Sequence, residues 1–323
     1  MKKIGMRIIF MGTPEFAVPS LDILFKSGYK ISAVITAPDK PAGRGKKISE
    51  SPVKKFALQT GLNLLQPQNL KDPDFIQKLK NFNADLQIVV AFRMLPEIVW
   101  KMPRFGTFNL HASLLPQYRG AAPMNWAIIN GETESGLTTF FLDKLIDTGE
   151  IIFNEKILIS PDETLGELHD EMMIKGAELV LKTTKAIQEG NVKPTKQNML
   201  LSSEIEIKPA PKIHKTDCKI NWNNDCLKIY NLVRGLCPYP AAFSEFVSID
   251  NKKIIFKIFK VSVEEKNHKF LSGTILSDNK SFLKIAVNDG FVNIIELQLA
   301  GKKKMNVFDF LRGFTVPENW KVD

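Results

Sequence analysis

The first half of the chain alternates short apolar runs with segments of helical spacing, and that alternation leaves few architectures open. Met6–Met11 (MRIIFM) is a nearly unbroken apolar run stopping at Gly12, the pattern of a strand covered on both faces. From Pro14 to Lys26, apolar residues recur at Phe16, Val18, Leu21, Leu24 and Phe25 before Gly28, which predicts a helix. The same reading predicts strands at Ile31–Ile35, Leu62–Leu65, Leu86–Phe92 and Gly106–His111. Helices are predicted at Ser51–Gln59, Asp72–Lys80 and Ala122–Ile129. Repeated strand–helix–strand units require crossovers, so the predicted class is α/β, with a Rossmann-like, mostly parallel sheet flanked by helices.

From Leu137 the pattern changes to hairpin-like strands, Leu137–Leu142 and Glu150–Leu158, and a longer helix from about Leu165 to Gln188. Residues 191–211 are polar, carry Pro194, Pro209 and Pro211, and have no period, which marks a linker. Short β-rich runs follow at Ala242–Ile249, Lys253–Val263, Gly273–Leu276, Phe282–Val287 and Asn293–Leu299, separated by Asn/Asp turns. Strands at this spacing predict a smaller, antiparallel, OB-like barrel. The expected organisation is therefore a domain at 1–190, a linker at 191–211 and a barrel at 212–323.

Charge separates the halves. Residues 1–207 hold 25 Lys+Arg against 23 Asp+Glu, whereas residues 208–323 hold 19 against 12. A surplus of +7 in the smaller part points to a polyanionic partner or to ordinary solubilising lysines, and charge alone does not choose. No apolar run approaches the roughly 18 residues of a membrane span. The basic start breaks at Gly12-Thr13-Pro14, a poor secretion signal. Three cysteines (Cys218, Cys226, Cys237) without CxxC spacing suit neither a disulfide framework nor structural zinc, so no metal and a cytoplasmic setting are expected.

Gly12 follows the first strand, but the GxGxxG fingerprint is missing, so a dinucleotide site is not expected. Lys40–Lys47 (KPAGRGKK) has no apolar period and should project from the surface, where it could clamp a phosphate backbone or simply be solvated. The densest segment is Phe108–Pro116 (FNLHASLLP). Asn109 and His111 stand two apart on a strand and share a face, at the end where open sheets place ligands. Asp147, in LIDTG, is a candidate carboxylate partner. An amide donor, an imidazole and a carboxylate suit acyl-type transfer through a tetrahedral intermediate. No nucleophile-elbow pattern is present, which argues against a covalent enzyme intermediate.

These segments resemble the 10-formyltetrahydrofolate-dependent formyltransferases, most closely the branch acting on charged initiator tRNA. The likeness runs through residues 6–21 (MRIIFMGTPEFAVPSL), 37–54 (APDKPAGRGKKISESPVK), 108–132 (FNLHASLLPQYRGAAPMNWAIINGE) and 145–152 (LIDTGEII). It continues through 233–243 (VRGLCPYPAAF) and 297–313 (LQLAGKKKMNVFDFLRG). The resemblance implies that Asn109, His111 and Asp147 are the catalytic trio. It implies that 10-formyltetrahydrofolate is the formyl donor, held at Ser113, Leu114, Leu115 and Pro116 and by the backbone of Val89, Val90, Ala91, Phe92, Arg93 and Leu95. Arg44, Lys46 and Lys47 would touch the acceptor end of initiator methionyl-tRNA, the barrel would bind tRNA, and the protein would act as a monomer. Members commonly carry a glycine in a stretch one residue longer where this chain reads Ala91–Pro96 (AFRMLP), and the change would bring Arg93 toward the folate or its glutamate tail.

Three other readings predict different behaviour. A glycinamide-ribonucleotide formyltransferase would end near the first domain, and the chain runs 116 residues past position 207. A sugar-amine formyltransferase needs no basic second domain. A non-catalytic RNA-binding module would bind RNA without transferring a formyl group.

Overall fold

The computed structural model describes residues 5–42, 47–200, 206–317 and 319–323. It folds as two compact units: one from residues up to 120, 135–157 and 169–209, the other from 121–134, 158–168 and 210–323.

The first unit is built on a seven-stranded sheet. Its strands are β1 (Arg7–Gly12), β2 (Lys30–Ile35), β5 (Leu64–Leu65), β6 (Leu86–Val90), β7 (Thr107–His111), β8 (Glu134–Phe141) and β9 (Ile151–Leu158). The order is β5-β2-β1-β6-β7-β8-β9, parallel from β5 to β7 and antiparallel between β7 and β8. The chain moves outward from β1 to β2 and β5, then returns to β6 on the other side of β1. That reversal between β1 and β6 is the place where open α/β sheets bind ligands.

The helices follow their punctuation. The segment predicted as one helix from Pro14 is a 3₁₀ turn, Glu15–Ala17, followed by α1 (Val18–Lys26). Restarting there puts Pro19 in a first turn, where its missing N–H costs nothing. Ser51 caps α2 (Pro52–Gln59) and Asp72 caps α3 (Pro73–Asn81), each side chain accepting an N–H of the first turn. Ile9 and Met11 on β1, Ala33 and Ile35 on β2 and Val89 on β6 share a core with Phe75, Ile76 and Leu79 of α3 and Val99 of α4 (Glu97–Trp100). Their alternates Ile8, Phe10 and Val34 are also fully buried, so the sheet is covered on both faces. The predicted strand Leu86–Phe92 stops at Val90 because Ala91 takes a left-handed φ of 48°. The flanks of the expected basic loop pair as a ribbon, β3 (Lys40–Ala42) with β4 (Lys47–Ser49), instead of forming an unpaired loop. Pro41 is tolerated because a two-stranded edge leaves some N–H positions unpaired.

In the second unit, α7 (Cys226–Leu236) packs against α5 (Pro123–Ile129) and against the barrel strands. The barrel strands are β10 (Ala242–Val247), β11 (Lys253–Glu265), β12 (Ile275–Ser277), β13 (Leu283–Val287), β14 (Gly290–Leu299) and β16 (Lys321–Val322). They run β12-β13-β14-β11-β10-β16 with antiparallel pairing. A bridge from Thr274 to Lys321 nearly closes the ring, so the C-terminal region is the antiparallel barrel expected. β15 (Met305–Asn306) pairs with β14 and leads into α8 (Val307–Gly313). Phe246 centres the core, stacked on Phe256 at 4.0 Å and flanked by Phe310, Phe314 and Trp320.

Candidate active site

β7 places the polar pair. Asn109 stands between Val89 of β6 and Phe140 of β8, and His111 stands opposite Thr138. Residues two apart share a face, so the two side chains leave the sheet together near the C-terminal end of the parallel strands. Asn109 is half-buried, and among the described residues its carboxamide has no hydrogen-bond partner. His111 is 6% exposed, and its ring meets Phe140 edge-on at 6.5 Å.

The imidazole is held by backbone. Nε2 lies 2.8 Å from the Tyr118 carbonyl oxygen, which can only accept, so Nε2 carries the hydrogen. Nδ1 then faces Asp147, with Oδ2 at 3.7 Å, close enough for charge coupling but beyond direct hydrogen-bond distance. The Asp147 carboxylate is anchored elsewhere, accepting the Gly120 N–H at 2.9 Å. Ala91, Tyr118 and Asp147 all hold left-handed backbone, φ 48°, 58° and 56°. Strained non-glycine residues of this kind persist where the surroundings over-determine them, and they concentrate at functional sites.

The loop before Asp147 is self-ordered. Asp143 accepts the Leu145 N–H at 2.9 Å and the Thr148 hydroxyl at 2.7 Å. Gly149 is required there, since any Cβ would collide with the Phe141 carbonyl. From the 3₁₀ turn Gln197–Leu200, Gln197 donates to the carbonyls of Asp147 and Gly149. A cleft of about 640 Å³ adjoins this loop, lined by Arg119, Leu142, Thr148, Gly149 and Lys196 among others.

The other predicted residues separate into groups. Ser113 is fully buried, donates to the Gln117 carbonyl at 2.6 Å, and accepts from Thr138 at its own carbonyl. Leu115 joins Phe140 and Ile151 in a small core, and Pro116 is buried; of this turn only Leu114 is half-exposed. Val89, Val90 and Leu95 are buried, Val90 completely, while Ala91 is exposed and Phe92 half-buried. The Arg93 guanidinium donates to the carbonyls of Pro67 and Gln68. Arg44 and Lys46 lie outside the described residues, and Lys47 begins β4.

Sequence reasoning missed Tyr118, Gly120 and Gln197. The first two act through backbone groups that leave no residue-type signal, and Gln197 lies in the segment read as linker. Among the described residues, no group of three or more His, Cys, Asp or Glu is placed to hold a metal ion, and no helix is long and apolar enough to cross a membrane.

Comparison with known proteins accounts for both units. The formyl transferase family matches residues 6–184, and the formyl transferase C-terminal domain matches residues 212–315. Methionyl-tRNA formyltransferase of Bacteroides fragilis is 54% identical over 322 residues, covering 100% of this chain and 99% of the relative. The Flavobacterium johnsoniae protein of that name is 53% identical, covering 98% and 99%. Among solved structures, the sugar 3N-formyl transferase WlaRD superposes with a TM-score of 0.63 at 23% identity, covering 92% of this chain and 99% of that one. HypX from Aquifex aeolicus, solved in complex with tetrahydrofolic acid, superposes with a TM-score of 0.60 at 20% identity, covering 95% of this chain and 48% of that one. These structural likenesses show the fold. With an amide, an imidazole and a carboxylate at the strand ends, and family matches across both units, the chain belongs to the formyl transferase family.

Proposed function

We propose that this chain transfers the formyl group of 10-formyltetrahydrofolate to the free α-amine of methionine on initiator tRNA, giving N-formylmethionyl-tRNA for translation initiation. The observation that carries this reading is the full-length likeness: relatives named methionyl-tRNA formyltransferase share more than half of its residues across both units. The catalytic, folate-binding part is residues 1–190, joined by 191–211 to a tRNA-binding barrel at 212–323. The enzyme acts in the cytoplasm as a monomer.

The residues present fit the donor. Asn109 offers an amide without a hydrogen-bond partner among the described residues, and the exposed Ala91 follows the strand beside the topological switch. When bound, the folate supplies the formyl carbon and the nitrogen that departs from it. Asn109 Nδ2 donates to the formyl oxygen as negative charge grows there. A preorganised donor of this kind contributes about 2.7–4 kcal/mol to the barrier.

His111 has one nitrogen left for chemistry, because Nε2–H is committed to Tyr118. Nδ1 faces Asp147, so the two form a unit that takes a proton from the attacking amine and returns it to the departing nitrogen. Asp147 stabilises the imidazolium while it carries that proton. The backbone from Val89 to Leu95 and the turn Ser113–Pro116 bound the folate. Arg44, Lys46 and Lys47 meet the acceptor end of the tRNA, and the +7 balance of residues 208–323 supplies the wider attraction to its phosphates.

An acceptor panel tests the reading. With 10-formyltetrahydrofolate as donor, methionyl initiator tRNA is formylated selectively over methionyl elongator tRNA, free methionine and a sugar amine, and its KM rises steeply with salt. Transfer to the sugar amine alone, or a KM insensitive to salt, contradicts it.

A further inference from the structure

The polar segment after α6 (Leu165–Glu189) contributes to the site through one side chain. Thr195 pairs with Ile151 at the start of β9 through two backbone hydrogen bonds of 2.8 Å, which fixes the segment against the sheet edge. Two residues on, Gln197 is 3% exposed. Its Nε2 donates to the carbonyls of Asp147 and Gly149, each at 2.9 Å. Its Oε1 accepts from Arg119 Nε at 3.1 Å and Nη2 at 2.6 Å. The partners fix the amide orientation, because carbonyls only accept and a guanidinium only donates.

One buried carboxamide thus ties together two loops that meet at the Asp147 carboxylate. Arg119 immediately precedes Gly120, whose N–H holds Asp147 Oδ2, and Asp147 itself sits in a left-handed conformation that needs support from outside. The four hydrogen bonds use both donor hydrogens and the acceptor oxygen of Gln197. From this geometry we infer that Gln197 is a positioning residue for the transfer, setting the Asp147 carboxylate against His111, and that segment 195–197 is a working part of the site. The inference rests on the reading of Asp147 given above.

The test is a double-mutant cycle on the full-length enzyme, using Gln197→Met, which fills the same space without hydrogen bonds, and Gln197→Glu. Gln197→Glu keeps an acceptor for Arg119 but loses both donors to the loop carbonyls. Both variants are expected to fold and to lose roughly 10–100-fold in kcat, the scale of a small misplacement of a catalytic group. KM for the folate and for the tRNA stays near the wild-type value. In an Asp147→Ala background, Gln197→Met costs less than about threefold more, because the group it positions is gone. Wild-type kcat in Gln197→Glu, or a Gln197→Met loss that persists in full beside a crippled Asp147→Ala, overturns the inference alone. Wild-type turnover by Asp147→Ala overturns the reading of Asp147 and the inference with it.

Discussion

Replacing Asn109 by alanine separates chemistry from folding in one measurement. The carboxamide is half-buried and makes no hydrogen bond to the rest of the described chain, so its removal leaves no buried partner unsatisfied. Such substitutions change stability by about 0.5 kcal/mol or less, a shift in Tm of about 2 °C at most for a protein of this size. The transition state, in contrast, loses a donor worth about 2.7–4 kcal/mol, a fall of roughly 100- to 1,000-fold in kcat. Ser113→Ala acts on stability instead: it removes a hydrogen bond to the half-buried Gln117 carbonyl, which costs about 0.5–1.5 kcal/mol. The assay is formyl transfer to methionyl initiator tRNA under saturating donor, read beside thermal unfolding of the same preparations. An Asn109→Ala enzyme with an unchanged Tm and a kcat within about fivefold of wild type refutes the reasoning, since a donor aimed at developing charge cannot be that dispensable.

The remaining expectations concern stability and reactivity. Burial raises the Asp85 carboxyl, but hydrogen bonds from the side chain and N–H of Arg7, with Arg104 alongside, outweigh it and hold the group below its ordinary value. Its stabilisation is therefore complete at neutral pH and is lost as the pH falls through that lowered pKa. Asp85→Asn destabilises by about 2 kcal/mol at pH 7, and urea titrations should show the gap to wild type closing on acidification. Phe246→Ala empties the centre of the barrel's aromatic stack and costs about 3–5 kcal/mol, measured as a lower unfolding midpoint. Burial, reinforced by Asp289, pushes the Cys226 thiol up to about 12, which keeps it protonated at pH 8. Iodoacetamide should leave Cys226 unmodified in the native protein and label it after denaturation, as mass spectrometry of the peptides will show.

Much of this fold was readable because it depends on local rules. Ser51-Pro52 and Asp72-Pro73 mark two helix starts, and the structure caps both helices as those pairs dictate. The run through Phe10 and the pair Asn109 and His111 give a buried strand and a shared strand face without long-range information. The misses are contacts between distant segments or through backbone. Nothing in the residue Tyr118 shows that its carbonyl, and not Asp147, orients the histidine. Two carbonyls some 25 residues upstream hold the Arg93 guanidinium, a contact that its place in the sequence does not announce. Gln197 is one polar residue in a polar stretch, and only the pairing of Thr195 with Ile151 makes it part of the site.

The central claim is direct transfer by Asn109, His111 and Asp147, and a rapid-quench experiment with formyl-labelled 10-formyltetrahydrofolate tests it most directly. Mixed with excess enzyme and methionyl initiator tRNA, the label should pass to the methionine amine in a single phase. Denatured protein sampled at every time point, with or without the tRNA, should carry none. Label attached to the chain, or label that never reaches the initiator tRNA, contradicts the account.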